Sequence, residues 1–94
     1  MNKLQLITTV SLNLGISQKL VKSVLNEVIE RIGETVANGE EIKLIDFGTF
    51  SPRFRKGRKC RNPQNGEIVE IADATIPFFK AGKKLKERVN NNLS

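Results

Sequence analysis

Leu6, Ile7, Val10 and Leu14 recur at intervals of three and four, the spacing of one face of an α-helix. Asn2 is a good N-cap and Gly15 a good stop, so the pattern predicts a first helix between them. A stronger helical pattern follows in Val21, Val24, Leu25, Val28, Ile29, Ile32 and Val36, with Ser17 as its N-cap and Asn38-Gly39 as its stop. Two helices joined by a short turn have the outline of a DNA-reading helix-turn-helix. The second helix carries only Lys19, Lys22 and Arg31 as cations and is otherwise largely apolar or acidic, so its apolar stripe reads as core.

From Ile42 the period changes to that of strands: Ile42 and Leu44 flank Lys43, and Ile45, Phe47, Phe50 and Phe54 follow. Gly48 inside this run predicts a bulge or a close backbone approach. After Pro52 the aliphatic residues vanish. Arg53 to Arg61 holds six basic residues in nine, with no acid, and leads into Asn62-Pro63-Gln64-Asn65-Gly66, which is turn chemistry. Ile68, Val69, Ile71, Thr75 and Ile76 predict a returning strand, so 51–76 reads as one long hairpin. So few apolar residues near its tip leave nothing for the tip to bury, and the hairpin should project as an arm. Phe78 and Phe79 return to the core, and Gly82 precedes a short basic helix with Leu85 and Val89 on one side.

At 94 residues, 38% hydrophobic and 28% charged, the chain suits a single folded domain over 1–94. Its helical base spans about 2–39, its sheet and arm about 41–77, and its C-terminal helix about 82–91. The net charge of +6 is unevenly placed. Residues 1–50 carry five basic and six acidic side chains, and residues 51–94 eleven basic and four acidic, so the second half is the electrostatic footprint. No apolar run nears the roughly 20 residues that cross a bilayer, and the first residues lack a signal-peptide pattern. The expectation is a cytoplasmic protein with no membrane partner. One cysteine, Cys60, excludes an internal disulfide and a multi-cysteine zinc site.

Catalysis is not expected. The chain has no histidine and no G-x-x-x-x-G-K-[ST] loop, and Glu27, Glu30 and Glu34 at helical spacing suit a solvated face better than an acid/base pair. No catalytic residue, cofactor, metal or small-molecule substrate is assigned.

Without the arm about 70 residues remain, a size at which one core rarely supplies more than about 3–5 kcal/mol. Symmetric association is the usual remedy, and Phe47, Phe50 and Phe79, with no polar atom to satisfy, suit a dry interface between two subunits. Two basic arms on a two-fold dimer make a clamp for a long polyanion. Duplex DNA carries a charge about every 1.7 Å along its axis, and each arm cation can neutralise a phosphate and release a counterion. Pro63 needs no function as a turn former. A rigid apolar ring beside Arg61 and Asn62 also has the properties of a wedge that unstacks a base step in the minor groove.

Three stretches carry a resemblance: Phe47-Gly48-Thr49-Phe50; Arg55-x-x-Arg58-x-x-Arg61-Asn62-Pro63-x-Asn65-Gly66-Glu67; and Phe79-Lys80-Ala81-Gly82-Lys83-x-Leu85-Lys86. With Met1-Asn2-Lys3 and the two helices, the chain resembles the bacterial histone-like HU and integration host factor family over nearly its whole length. The resemblance implies an α+β fold: a helical base, a three-stranded antiparallel sheet extended into a β-ribbon arm, a short C-terminal helix, and an intertwined dimer. It also implies that the arm (Arg53, Arg55, Lys56, Arg58, Lys59, Arg61, Asn62 and Gln64) binds DNA while Pro63 intercalates. Lys3, Lys83 and Lys86 would hold DNA against the body, and Phe47, Phe50 and Phe79 would form the dimer core. Asp46 and Cys60 depart from the family pattern, each standing where a glycine is usual.

The expected function is that of an architectural, nucleoid-associated homodimer, of bacterial, plastid or phage origin, that bends duplex DNA through the minor groove with little sequence preference and so compacts a nucleoid. It should favour bent, nicked or flexible DNA, whose deformation cost is already partly met. The alternatives are a site-specific bending factor of the integration host factor type, an RNA-binding basic module, and a polyanion-aggregating structural protein.

Overall fold

The structure, a computed structural model, describes residues 1–93. Its elements run α1 (Lys3–Leu14), α2 (Gln18–Ala37), β1 (Ile42–Leu44), β2 (Gly48–Arg55), β3 (Arg58–Arg61), β4 (Ile68–Ile71), β5 (Ala74–Ala81) and α3 (Lys83–Leu93). They fall into two compact units, residues 1–34 and the chain from Thr35 onward.

The first unit is built on its caps. The Asn2 side chain accepts from the Gln5 backbone N–H at 2.9 Å while the Gln5 side chain accepts from the Asn2 N–H at 2.9 Å, a reciprocal capping box. Gly15 closes α1 in the left-handed region at φ 67°, and its N–H and that of Ile16 both donate to the Ser11 carbonyl. The Ser11 hydroxyl donates to the Ile16 carbonyl at 2.5 Å, so one buried serine serves three bonds of the turn. Ser17 caps α2 by accepting from the Leu20 N–H at 3.1 Å. Arg31 on α2 lies between Glu27 at 2.9 Å and Glu34 at 2.6 Å, which places these carboxylates in an exposed helix-face ion network.

Little is buried. Among the described residues Ile7 and Val21 are the only buried large apolar side chains, and an apolar hollow of about 260 Å³ opens between Leu6, Val10, Leu14, Val24 and Val28. Leu6, Val24, Val28 and Ile29 stay exposed although the helical pattern marks them as core.

The second unit holds an antiparallel sheet of order β1-β2-β5 and a separate ribbon of β3 and β4. The register sets Ile42 opposite Phe50, Leu44 opposite Gly48, Phe50 opposite Phe79 and Pro52 opposite Pro77. Two facing prolines can donate nothing to each other, so this pair sits at a position whose amide nitrogens point away from the β2–β5 ladder. Strand alternation gives the sheet two unlike faces. Ile42, Leu44, Phe50, Phe54 and Phe79 share one; Lys43, Arg53, Arg55 and Lys80 share the other.

Gly48 is required by contact. A Cβ there would lie 2.5 Å from the Phe79 ring and 2.7 Å from the Lys80 carbonyl oxygen. The Phe79 ring centroid is 4.7 Å from Phe50 and 5.5 Å from Phe47, so the three phenylalanines singled out from the sequence form one cluster over this glycine.

The hairpin expected over 51–76 is not continuous. Its ladder stops after Arg55 and resumes at Arg58, with a matching gap at Ala72 and Asp73 on the return. At the gap the backbone around Ile71 to Asp73 packs against Gly57 so closely that a Cβ at Gly57 would collide with the Ile71 carbonyl oxygen.

Candidate nucleic-acid interface

The distal ribbon sets Arg58 opposite Ile71, Lys59 opposite Glu70, Cys60 opposite Val69 and Arg61 opposite Ile68. By alternation Arg58 lies on one face and Lys59 and Arg61 on the other. All three are exposed, so the ribbon presents cations on both sides. Among the described residues no carboxylate comes within ion-pair distance of Arg53, Arg55, Lys56, Arg58, Lys59 or Arg61. Arg53 is the one with an intramolecular contact for its charge, its guanidinium lying 3.5 Å from the centroid of the Phe78 ring. Uncompensated exposed cations in this number make a surface that attracts a polyanion.

Pro63 stands exposed at the tip, and its neighbours fix it. The Asn62 side chain accepts from the Gln64 N–H at 2.9 Å, and the Asn62 carbonyl accepts from the Gly66 N–H at 2.8 Å. The Asn62 N–H donates to the Glu67 carbonyl at 2.7 Å, and Asn65 accepts from the Glu67 N–H at 3.0 Å. Gly66, at φ 72°, supplies the left-handed residue that closes the loop. Asn62 therefore commits its side-chain oxygen to the turn, and the ring of Pro63 is carried on a hydrogen-bonded loop.

The body supplies a second basic surface. Lys43, Lys80, Lys83, Lys84 and Lys86 line an open cleft of about 710 Å³ between the β1–β2 turn and the start of α3. The sequence pointed to Lys83 and Lys86; Lys43, Lys80 and Lys84 were missed, because Lys43 and Lys80 come to one face only through the register that sets each opposite Thr49. Lys83 and Lys84 open α3, and Lys3 opens α1 in the other unit, with no acid in either first turn. A helix start favours negative charge, so lysines there add to a positive helix end, which at α3 is partly met within the chain by Glu87 on Lys83 and Asp46 on Lys84.

Asp46, the acid in a glycine position, has φ 70°. It sits in the turn between β1 and β2, where its carboxylate lies 3.4 Å from the Lys84 ammonium. The turn is fixed to α3 by the Gly82 N–H, which donates to the Phe47 carbonyl at 2.8 Å. Cys60 is half-buried on the ribbon face that carries Val69, and the break in the arm is at Gly57, three residues earlier. Gly57 and Asp73 were also missed from the sequence; a glycine beside a run of charged residues gives no pattern from which its partner sixteen positions on can be read.

No group of histidine, cysteine or acidic side chains among the described residues is placed to hold a metal ion. No described helix is long and apolar enough to cross a membrane.

This arrangement has close counterparts. The chain is 46% identical over 89 residues to the DNA-binding protein HU-1 of Halalkalibacterium halodurans, covering 95% of this chain and 99% of that one. It is 41% identical over 91 residues to the integration host factor subunit beta of Histophilus somni, covering 96% and 97%. Its fold matches the Anabaena HU–DNA cocrystal structure with a TM-score of 0.88 at 38% identity, over 95% of this chain and 97% of that one. The profile of the bacterial DNA-binding protein family matches residues 1–90, base, arm and C-terminal helix alike, and the chain belongs to that family as an HU-like member.

Proposed function

We infer that the chain is an architectural protein that binds duplex DNA and organises a nucleoid in the bacterial cytoplasm. The observation that carries this is the arm: six cations without a carboxylate partner among the described residues, ending in a proline on a braced loop. The arm cations Arg53, Arg55, Lys56, Arg58, Lys59 and Arg61 neutralise phosphates, with Gln64 beside the wedge. Pro63 enters a base step of the minor groove and Asn62 aims it. Unstacking costs a few kcal/mol per step and is offset because bent DNA reaches the lysines of the body, Lys3, Lys83 and Lys86.

The working unit is a homodimer, and residues 1–94 act as one domain within it. Among the described residues only two large apolar side chains are buried, too few to stabilise a chain of this length, while the Phe47, Phe50 and Phe79 cluster and the α1–α2 hollow leave apolar surface for a second copy. The dimer core is then shared between the subunits. Catalysis is no part of the function.

A salt titration against three labelled duplexes of about 35 base pairs tests this reading: intact DNA, the same DNA with two nicks, and the matching RNA. Nicked DNA is expected to bind most tightly and RNA least, with log K falling steeply in log salt. Equal binding to all three would leave charge alone as the driving force. Because the relatives include an integration host factor subunit, random DNA and any preferred site should also be compared. A ratio of about 10³ or more marks a site-specific member.

A further inference from the structure

The basic cleft of the body contains two carboxylates, Asp46 and Glu87. Glu87 is an ordinary helix partner of Lys83, four residues away at 4.0 Å. Asp46 is different in kind. It comes from another element, on a short side chain whose backbone is held by the Phe47 N–H donating to the Leu44 carbonyl at 3.0 Å and by the Gly82 bond to Phe47. Its charge is therefore presented to the Lys84 ammonium by a braced turn. Both partners remain largely exposed, 58% for Asp46 and 70% for Lys84, so the pair is weak and open to exchange.

We propose that Asp46 is an internal competitor for DNA phosphate: its carboxylate occupies Lys84 in the free protein and must give Lys84 up when a duplex enters the cleft. The proposal rests on the DNA-binding reading above. After exchange the displaced carboxylate faces the duplex with like charge, which lowers affinity further. Asp46 thereby sets how strongly the body holds DNA relative to the arm, and it makes the hold looser than five lysines alone would give.

The test uses the full chain, with binding to an intact 35-base-pair duplex measured across salt. Asp46→Asn removes the charge and keeps a residue that adopts the left-handed region readily; Asp46→Gly is the second variant, with no backbone cost at that φ. Both are expected to bind about three- to tenfold more tightly near 0.1 M salt, with a log–log slope steeper by about 0.9 for each further phosphate neutralised. Lys84→Gln is expected to lower the slope more in the Asp46→Asn background than in the parent. Affinity and slope unchanged in both Asp46 variants, or an equal cost of Lys84→Gln in both backgrounds, would overturn the proposal. An Arg58→Gln/Arg61→Gln chain measured alongside separates the two readings. If it loses affinity while the Asp46 variants do not move, this inference alone fails; if neither it nor the Asp46 variants differ from the parent, the DNA reading fails and this inference with it.

Discussion

The backbone N–H of Gly57 donates to Oδ1 of Asp73 at 2.5 Å, across the gap where the proximal sheet ends and the distal ribbon begins. One hydrogen bond thus ties the outgoing strand of the arm to the returning one where the ladder is missing. With no Cβ on Gly57, the backbone of Ile71 to Asp73 can approach as it does. The direction of the ribbon relative to the sheet is set at this junction.

Removing the tie should loosen the arm without touching the body. Asp73→Ala is expected to cost about 0.5–1.5 kcal/mol, the usual contribution of one such hydrogen bond, or about 2–12 °C in the thermal midpoint if arm and body unfold together, and less if the arm loosens by itself. DNA bending, read by energy transfer between end labels, should weaken and become more heterogeneous. Full bending in this variant would assign the junction to the ladders on either side of it.

Gly57→Ala is the harsher change at the same place, because the new Cβ meets backbone that cannot swing away. Amide exchange is expected to accelerate in β3 and β4 and to stay unchanged in α1 and α2. An unchanged ribbon would mean that the backbone around Ala72 can shift at little cost.

Pro63→Ala should separate bending from affinity. The Asn62 and Gly66 bonds that shape the tip do not involve the proline ring, so the loop is retained. Bending and the preference for nicked DNA are expected to fall by more than affinity does. Unchanged energy transfer between the duplex ends would remove the wedge role from Pro63.

Gly48→Ala should destabilise by about 1–3 kcal/mol, the usual cost of overpacking. The added methyl would lie 2.5 Å from the Phe79 ring, which is held between Phe47 and Phe50. Denaturant unfolding measures this directly, and a loss under about 0.5 kcal/mol would show that Phe79 moves freely.

Phe79→Ala tests the shared core. In a homodimer whose interface contains this cluster, the loss should be about 3–5 kcal/mol, and the unfolding midpoint should rise with protein concentration in both parent and variant. A midpoint independent of concentration, together with a monomeric mass in solution, would place the cluster in the core of a single chain.

The helices and their limits were legible because caps act locally. Asn2, Gly15, Ser17 and Gly39 each satisfy or end a helix through atoms within a few residues, and they stand where the structure puts the helix ends. The turn at Pro63 and the basic run of the arm were legible for the same reason. Alternation also announced the sheet, and Gly48 announced a close approach, though not that Phe79 makes it.

What depends on strand register was not legible, because register is fixed by contacts between residues far apart in sequence. The packing of Phe79 over Gly48 and between Phe47 and Phe50, the gathering of Lys43, Lys80 and Lys84 with Lys83 and Lys86, and the pairing of Asp46 with Lys84 all follow from laying β5 and α3 against β1 and β2. The break in the arm at Gly57 belongs there too, since it needs Asp73 from the returning strand. The sequence by itself determined the elements, the charge they carry and the chemistry of the tip. The tertiary structure alone decided which charges face one another, because a side chain's partners across a sheet are chosen by the pairing of whole strands.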